Sequence, residues 1–482
     1  MNKRHVLWSA FAATLALAAC GGGSDSAETT SPSPTPAAPA IDRIEPLDTA
    51  TKLLAASQAA PAASRLPAGA AVPRVALGAL AGAKTATQAD KGVALKIGEG
   101  RAVAATASPA GLAAKLRWSK LEGGAQVAAL AFSAEGAQAL RLGVLVQQLP
   151  DGAVLRFYGA SGSPVVEMSA AELQALRQRN EAGGLAGDTA RMVWGPDTEG
   201  AVSTLEVQLP AGADAGQLQL AVPRLSHLTQ TVKDAAQIGD AASCNLDVMC
   251  SADLQAESRS VAKMLFTEAD GTYICTGTLL NDTRGSLTPY FLTANHCIST
   301  QAAASTLVTY WFFRAASCNG SPEVDPAMAR VTGGAQLLYS DSSVDATLLR
   351  LNSQPPANVV YAGSYFGDGA VTGVGVAGVH HPRGDLQKYS VGTIAGYANC
   401  GDSSCSSASV DGGNMLQIGW TTGTTEGGSS GSAIFASAGG SALYVVGTLT
   451  GGSASCENPS GADFYGRFNR AFYRGANTWL TQ

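Results

Sequence analysis

The chain has 482 residues, of which 46% are hydrophobic and only 14% charged, so two or three folded domains are expected. Its net charge of −6 is spread thinly without a basic stripe, which argues against nucleic-acid binding. The 56 glycines and the scarcity of charge favour a β-rich extracellular protein over a helical cytosolic one.

The first 20 residues have the pattern of a bacterial lipoprotein signal peptide. Lys3 and Arg4 precede the apolar run 6–19, as in an export signal. The run ends in Leu-Ala-Ala-Cys20, which resembles the lipobox, whose Cys takes a lipid and becomes the mature N-terminus. The alternative is an ordinary secretory signal with an incidental Cys. We expect an exported protein at the outer membrane or cell surface, anchored through a lipid on Cys20 before processing.

Three regions follow residues 1–20. Residues 21–90 are rich in Ala, Pro, Ser and Thr and predict a disordered tether. Residues 91–233 predict a small β-rich pro-region with one short helix near 168–179. Residues 234–482 hold many short apolar runs between turn signals, which is typical of an all-β sandwich or barrel. The strands predicted in the pro-region are 116–118, 139–146, 153–158 and 204–209.

The cysteines support export and distinguish the two halves of the chain. Of nine cysteines, all except Cys20 lie between Cys244 and Cys456. An even set of eight in an exported protein indicates disulfides, although eight cysteines allow 105 pairings. Their scattered spacing makes a metal site a poor alternative, and no metal or cofactor is expected.

Two short motifs predict a nucleophile and its base. Ser430 lies in Gly-Ser-Ser-Gly-Ser at 428–432, where glycines allow a tight turn that exposes the hydroxyl. Such a run alone is more often a plain loop. His296 follows an apolar strand and precedes Cys297, and a neutral imidazole held there can accept the serine proton.

A third motif supplies the carboxylate. Asp345 directly precedes the apolar run 346–351, so a buried Asp could orient the imidazole and stabilise its protonated form. Its nearest rival is Asp341, which has no strand directly after it. The resulting order His, Asp, Ser is that of trypsin-like enzymes.

Together these motifs resemble the bacterial lysyl endopeptidases, a branch of the trypsin-like serine proteases, over roughly residues 243–482. The matching segments are Cys-Asn-Leu-Asp-Val-Met-Cys from Cys244, Cys-Thr-Gly from Cys275, Phe-Leu-Thr-Ala-Asn-His-Cys ending at Cys297, Asp-Ala-Thr-Leu-Leu-Arg-Leu from Asp345, the Ser430 motif, and Asp-Phe-Tyr-Gly-Arg from Asp463. The resemblance implies two six-stranded antiparallel β-barrels and a triad of His296, Asp345 and Ser430. It also implies an oxyanion hole formed by the N–H groups of Gly428 and Ser430.

The resemblance further implies a disulfide pattern. The family's three bridges map onto Cys244–Cys456, Cys250–Cys318 and Cys275–Cys297. Cys400 and Cys405 remain and can close a small local loop with each other.

The specificity pocket is expected to carry its charge on Asp463. In the family this Asp replaces the pocket Asp of ordinary trypsins, whose position Thr424 occupies here. A buried carboxylate would bind a Lys or Arg side chain of the substrate and reject apolar ones. The alternative is a structural carboxylate paired with Arg467.

Two departures leave Lys versus Arg preference open. Thr450, which with Gly451 is expected to border the pocket, replaces the family's His. Residues 394–414, where the family carries a Trp, contain none.

Ser429 is a third departure, because most trypsins have there an Asp that pairs with the new N-terminal amine. Without that charge we expect the pro-region to assist folding or mask the site. A Lys-directed enzyme could release itself at Lys233, leaving the lipid on the pro-region. The neighbours His380 and His381 are expected to be structural or pocket-lining, since no third metal ligand has suitable spacing.

The sequence therefore predicts a monomeric serine endopeptidase that cleaves protein or peptide substrates through an acyl-enzyme after Lys or Arg. An alternative is an adhesive or binding module on an inactive protease fold, which the complete triad argues against. An esterase is a third option, but the chain lacks the nucleophile-elbow spacing and alternating βα units.

Overall fold

The computed structural model describes residues 41–51, 62–80, 92–160, 164–230, 238–268, 270–401 and 404–482. Two predicted features, lipidation of Cys20 and processing at Lys233, lie outside the described residues. None of the described helices combines the length and apolarity needed to cross a membrane.

The N-terminal half is built mainly of strands. They are β1 (Arg43–Ile44), β2 (Leu47–Asp48), β3 (Arg74–Leu77), β4 (Leu95–Ala102), β5 (Ser119–Lys120), β6 (Gln126–Ala134), β7 (Ala139–Gln148), β8 (Val154–Tyr158), β9 (Val166–Ser169), β10 (Met192–Trp194), β11 (Thr198–Glu199), β12 (Val202–Leu209) and β13 (Gln219–Leu228). Its α-helices are α1 (Pro109–Ala113), α2 (Ala170–Ala182) and α3 (Gly187–Arg191).

The C-terminal half continues with short strands. They are β14 (Leu246–Asp247), β15 (Val261–Glu268), β16 (Gly271–Leu280), β17 (Tyr290–Thr293), β18 (Val308–Trp311), β19 (Ala329–Val331), β20 (Ala335–Asp341), β21 (Ala346–Leu351), β22 (Val360–Tyr361), β23 (Gly363–Tyr365), β24 (Gly375–His380), β25 (Lys388–Cys400), β26 (Cys405–Ala408), β27 (Met415–Thr422), β28 (Ala433–Ser437), β29 (Leu443–Gly452) and β30 (Ala462–Arg467). Its α-helices are α4 (Gln255–Ser258), α5 (Gln301–Ala304), α6 (Phe468–Ala471) and α7 (Asn477–Leu480), with a π-helical turn at Phe472–Ala476. Short 3₁₀ turns occur at Thr49–Thr51, Ala104–Thr106, Glu122–Gly124, Ala215–Gln217, Val248–Cys250, Ala252–Leu254 and Pro382–Gly384.

Residues 62–230 form an N-terminal domain of two packed sheets. One has the order β3-β6-β12-β8-β9, and the other contains β10, β7, β13 and β4. Leu130, Phe132, Leu142 and Leu205 are fully buried in the shared core, as the apolar runs of these strands require.

The predicted elements of this domain are largely confirmed. Strands β7 and β12 cover their predicted runs, and β8 begins one residue after its predicted start. Helix α2 begins two residues after the predicted start of the helix, because residues 168 and 169 end β9. A capping box between Ser169 and Glu172 begins α2. Residues 116–118 are not a strand, because they complete the turn after α1: the N–H of Leu116 donates to Ala113 O and the Arg117 guanidinium to Ala114 O.

Residues 238–482 form a C-terminal domain with the two predicted six-stranded barrels. Strands β18-β15-β16-β17-β21-β20 make the first in continuous antiparallel order. The second closes as a ring, β24-β25-β27-β30-β29-β28 and back to β24. Ring closure removes the unpaired sheet edges of an open sheet.

The two domains share one sheet, because β4 of the N-terminal domain pairs antiparallel with β16 of the first barrel. The fully buried Arg141 reinforces this junction. It donates to Thr267 Oγ1 at 2.7 Å and to Thr306 O across the interface, and to Gly195 O at 2.8 Å within its own domain.

Strands also occur within residues 21–90, where the sequence predicts a disordered tether. An N-terminal arm, 42–51, contains β1 and β2, which pair with β23 and β22 of the C-terminal domain. Asp48 forms an ion pair with Arg259 of that domain. The arm forms strands because β22 and β23 of the C-terminal domain pair with it, and not because it has a hydrophobic core of its own. The local composition of the arm does not reveal these partners.

Candidate active site

His296 and Asp345 lie together because their strands are antiparallel neighbours. His296 follows β17 and Asp345 precedes β21, and Thr293 of β17 stands opposite Thr347 of β21. The two segments therefore meet at one end of the first barrel. The predicted proximity of base and carboxylate follows directly from this register.

Asp345 holds His296 at two points. Its Oδ1 accepts the backbone N–H of His296 at 2.8 Å, and its Oδ2 lies 2.7 Å from the ring Nδ1. The carboxylate thus keeps the proton on Nδ1 and leaves Nε2 as the basic nitrogen. Within the described chain Nε2 has no hydrogen-bond partner, so it can accept a proton from a nucleophile.

The rival carboxylate, Asp341, accepts hydrogen bonds from residues next to it in the chain. Its Oδ1 accepts from the Ser343 hydroxyl at 2.6 Å, and its Oδ2 accepts from Tyr339 at 3.2 Å. Asp345 therefore occupies the orienting position beside the imidazole.

Ser430 lies in a turn that is pinned to the same corner of the first barrel. The N–H of Thr276 donates to Ser430 O at 2.8 Å, and Thr276 follows Cys275, which is bonded to Cys297 beside His296. One hydrogen bond and one disulfide thus tie the backbone of Ser430 to that of His296. Gly431 shows how closely the two segments pack: a Cβ built there would lie 2.2 Å from Thr293 Oγ1, too close for any side chain.

The two amides predicted for the oxyanion hole are available for an incoming ligand. Within the described chain, the N–H groups of Gly428 and Ser430 donate to no other protein group. Gly428 has φ +92, a conformation that glycine adopts readily. Two unpaired amides beside a serine hydroxyl can stabilise the oxyanion of an acyl-transfer intermediate.

Asp463 is fully buried and accepts hydrogen bonds from Trp420 and Thr425. Its Oδ2 accepts from Trp420 Nε1 at 2.8 Å and from Thr425 Oγ1 at 2.7 Å. Arg467, the alternative partner, donates instead to the carbonyls of Val410 and Gly413. The sequence reasoning missed Trp420, which is found here only because β27 pairs with β30, with Ile418 opposite Asp463.

The other predicted pocket residues lie around Asp463. Thr424 is buried and directly precedes Thr425, which donates a hydrogen bond to Asp463. Thr450 is half-buried, and Gly451 pairs with Phe464 where β29 meets β30.

Four disulfides join the eight cysteines in the expected pairs: Cys244–Cys456, Cys250–Cys318, Cys275–Cys297 and Cys400–Cys405. The sulfurs of Cys275 and Cys297 approach the imidazole of His296. Because they are bonded to each other, they cannot act as thiolate metal ligands.

Both His380 and His381 are fully buried. The ring Nδ1 of His381 lies 3.0 Å from Asp385 O, and burial lowers the pKa of His381 to about 3. His381 is therefore neutral at physiological pH.

Comparison with known proteins identifies relatives over both halves of the chain. Residues 69–229 match the lysyl endopeptidase N-terminal domain, and residues 238–466 match the lysyl endopeptidase C-terminal domain. A lysyl endopeptidase of Pseudomonas aeruginosa is 32% identical over 416 residues, 83% of each protein. A secreted RxLR effector protein of Plasmopara viticola is 29% identical over 37% of this chain and 42% of its own length.

Two solved structures were also compared. The thermostable serine protease AL20 from an extremophilic microorganism is 16% identical over 47% of this chain and 98% of its own, with a TM-score of 0.31. A protease of M. tuberculosis in its active form is 16% identical over 49% of this chain and 89% of its own, with a TM-score of 0.32. From the two matched domains and the P. aeruginosa relative, the chain belongs to the lysyl endopeptidase family and is a serine endopeptidase.

Proposed function

We propose that this chain is the precursor of an endopeptidase that cuts after Lys or Arg through an acyl-enzyme on Ser430. The pair of hydrogen bonds that His296 donates to Asp345 is the observation that carries the proposal, since it fixes the imidazole tautomer that a serine nucleophile needs. The tie between Ser430 O and Thr276 N then supports Ser430 as the hydroxyl that this base serves.

The reaction follows from these positions. Ser430 Oγ attacks the scissile carbonyl carbon as its proton passes to His296 Nε2, and the oxyanion accepts from the N–H groups of Gly428 and Ser430. His296 then protonates the leaving amine as the carbon–nitrogen bond breaks. Water, deprotonated by the same imidazole, attacks the acyl ester and releases the acid and Ser430.

Asp463 supports the basic preference. A fully buried carboxylate stabilises a Lys or Arg side chain of the substrate and disfavours an apolar one, which brings it no counter-charge. The hydrogen bonds from Trp420 and Thr425 hold it in one orientation.

Profiling the cleavage sites in a denatured protein mixture tests both assignments. Ser430→Ala should abolish cleavage and labelling by a fluorophosphonate. Asp463→Asn keeps the shape and should lower kcat/KM for basic sites by 10²-fold or more, about 3 kcal/mol of transition-state binding. Asp282→Asn is the matched control, because Asp282 is another buried carboxylate in the same domain. An unchanged basic preference in Asp463→Asn would refute the pocket.

We also propose that the N-terminal domain masks the cleft in the precursor. Strand β4 pairs with residues 271–274 of β16, directly before Cys275. Just ahead of β4, a Cβ built at Gly92 would lie 3.8 Å from Thr450 O in β29 of the second barrel. The segment from Gly92 to β4 thus runs from Thr450 on the second barrel to β16 on the first, and there it would block the substrate backbone that we expect to bind beside Thr450.

Export and processing complete the proposal. The interval between the two matched family domains, 230–237, contains Lys233, which supports cleavage there by a Lys-directed enzyme. Intact-mass analysis of the secreted product should give a new N-terminus at Asp234, and the lipid of Cys20 should remain with the N-terminal fragment. A mature start well away from 234 would contradict the site of cleavage.

A further inference from the structure

The oxyanion hole of this chain is held by a buried segment that follows β24. The N–H of Gly428 belongs to the peptide whose carbonyl is Gly427 O, and that carbonyl accepts from the N–H of Arg383 at 2.6 Å. The next carbonyl, Gly428 O, accepts from Thr276 Oγ1 at 2.9 Å. With both carbonyls bonded, the Gly428 amide cannot rotate away from the site without breaking a buried hydrogen bond.

His380 bonds to the residue between these two amides. Its Nδ1 lies 2.9 Å from Ser429 Oγ, and its Nε2 lies 3.1 Å from Ser390 Oγ. Ser390 in turn donates to Thr424 O at 2.6 Å, and the N–H of Glu426 donates to Ser429 Oγ at 3.3 Å. His380, Ser390 and Ser429 are all fully buried, so these bonds are shielded from water.

The directions of these hydrogen bonds fix the tautomer of the neutral His380 imidazole. The single hydroxyl proton of Ser390 is used on Thr424 O, so His380 Nε2 must donate to Ser390 Oγ. In the neutral ring Nδ1 is then an acceptor, which the hydroxyl of Ser429 satisfies. The result is one chain of bonds that runs from the Glu426 amide through Ser429, His380 and Ser390 to Thr424 O. Both its ends lie on the loop that leads into the nucleophile.

The turn after His380 is anchored independently. Lys263, fully buried, donates to Gly384 O at 2.8 Å. A Cβ built at Gly428 would lie 3.0 Å from His381 O and 3.1 Å from Gly384 N. The turn after His380 and the loop that contains Gly428 are therefore in close contact. The turn cannot move easily because the buried Lys263 holds its Gly384 carbonyl by a hydrogen bond.

We propose that His380 is a positioning residue for the oxyanion hole, acting through Ser429, and that it replaces the amine–carboxylate pair that an Asp before the nucleophile would provide. The proposal rests on the role proposed above for Ser430. It implies that the oxyanion hole is assembled by neutral hydrogen bonds within the C-terminal domain, without a charge supplied by a new N-terminus.

Ser429→Ala, made in the full chain and assayed after processing, is the principal test. It removes one hydroxyl and should lower kcat for a lysyl amide substrate about 10- to 100-fold with KM changed less than twofold, because the oxyanion donors matter only in the transition state. A peptidyl aldehyde, whose adduct places an oxyanion in the same hole, should bind more weakly by a similar factor. Ser364→Ala is the control, since Ser364 is fully buried and its hydroxyl has no partner within the described chain.

Variants of His380 provide the rescue. Gln carries an acceptor and a donor bonded to the same carbon, as the imidazole does, so His380→Gln should retain more of kcat than His380→Phe, which has neither. If Ser429→Ala does not accumulate, Ser390→Ala breaks the same chain at its far end and should give the same loss of kcat.

Three results would overturn the proposal: wild-type kcat in Ser429→Ala, a loss confined to KM, or equal activity of the Gln and Phe variants of His380. Ser430→Ala separates this from the proposed function. If cleavage persists in Ser430→Ala, Ser430 is not the nucleophile and the proposed function is wrong. If Ser430→Ala is inactive and Ser429→Ala is fully active, only the role proposed for His380 is wrong.

Discussion

Replacing Arg141 by Met should weaken the docking of the N-terminal domain on the first barrel. The guanidinium is fully buried at the junction, where burial lowers the pKa of Arg141 to about 10, so it is still charged at neutral pH. Met keeps a similar stem length but removes the donors to Thr267 Oγ1 and Thr306 O. Thr306 O then loses the charged donor that reaches it across the interface.

The magnitude follows from these contacts. Hydrogen bonds to a charged group contribute about 1.5–3 kcal/mol each, so two of them across the interface amount to about 3–6 kcal/mol. Relief of the buried guanidinium's desolvation offsets part of this, which leaves about 2–4 kcal/mol. Docking should therefore weaken about 30- to 1000-fold, at 1.36 kcal/mol per factor of ten.

Amide hydrogen exchange in the uncleaved Ser430→Ala chain measures this effect. Amides of β4 that bond to β16 should exchange faster by the same factor in Arg141→Met, while those between β6 and β12 should keep their protection. Arg117→Met is the control, because among the described residues exposed Arg117 donates only to carbonyls near it in sequence. Unchanged exchange in β4 would show that the buried guanidinium adds nothing to docking and would refute the reasoning.

Three further predictions concern the C-terminal domain. Replacing Cys275 and Cys297 together by Ser removes a disulfide that spans 22 residues and should lower the free energy of unfolding by about 3 kcal/mol in urea titrations. The value of kcat should fall too, because this disulfide no longer holds the turn that contains His296. Burial holds the pKa of His381 near 3, below its ordinary value of 6.5, so the unfolded chain binds the proton first as the pH falls. The free energy of unfolding should drop by up to about 1.4 kcal/mol per pH unit between pH 6.5 and 3, and His381→Asn should flatten that slope. Equal slopes for the wild type and the variant would contradict the assignment of this pH dependence to His381. Gly431→Ala should abolish folding or activity because its Cβ would overlap Thr293, whereas Gly439→Ala, with open space around a similar φ, should cost only about 1 kcal/mol by thermal unfolding.

Local motifs made much of the candidate site predictable. His296 beside a cysteine after an apolar strand, and Asp345 before another, each identify a position at a strand end, and antiparallel pairing of β17 with β21 brings both to the same corner. The disulfide pairs followed from the family resemblance, since the spacing alone left 105 possibilities.

Contacts that depend on distant register were not predictable. Trp420 meets Asp463 only through the pairing of β27 with β30, and His380 meets Ser429 because the end of β24 packs on the loop that contains Ser429. The strands of the N-terminal arm were missed for the same reason. Thr49 donates to Val359 O, 310 residues away, and nothing in the composition of the arm reveals that partner.

The arm has a consequence for how the N-terminal half can leave the enzyme. A fragment ending near Lys233 would hold the C-terminal domain at two separate places, by β4 on β16 and by β1 and β2 on β23 and β22. When one contact opens, the other keeps it nearby at a high effective concentration, so rebinding outpaces escape. One cut would therefore yield a persistent two-piece complex. A second cut, between the arm and β4, would separate the two contacts and abolish the avidity. The N-terminal domain would then leave the proposed active site more readily.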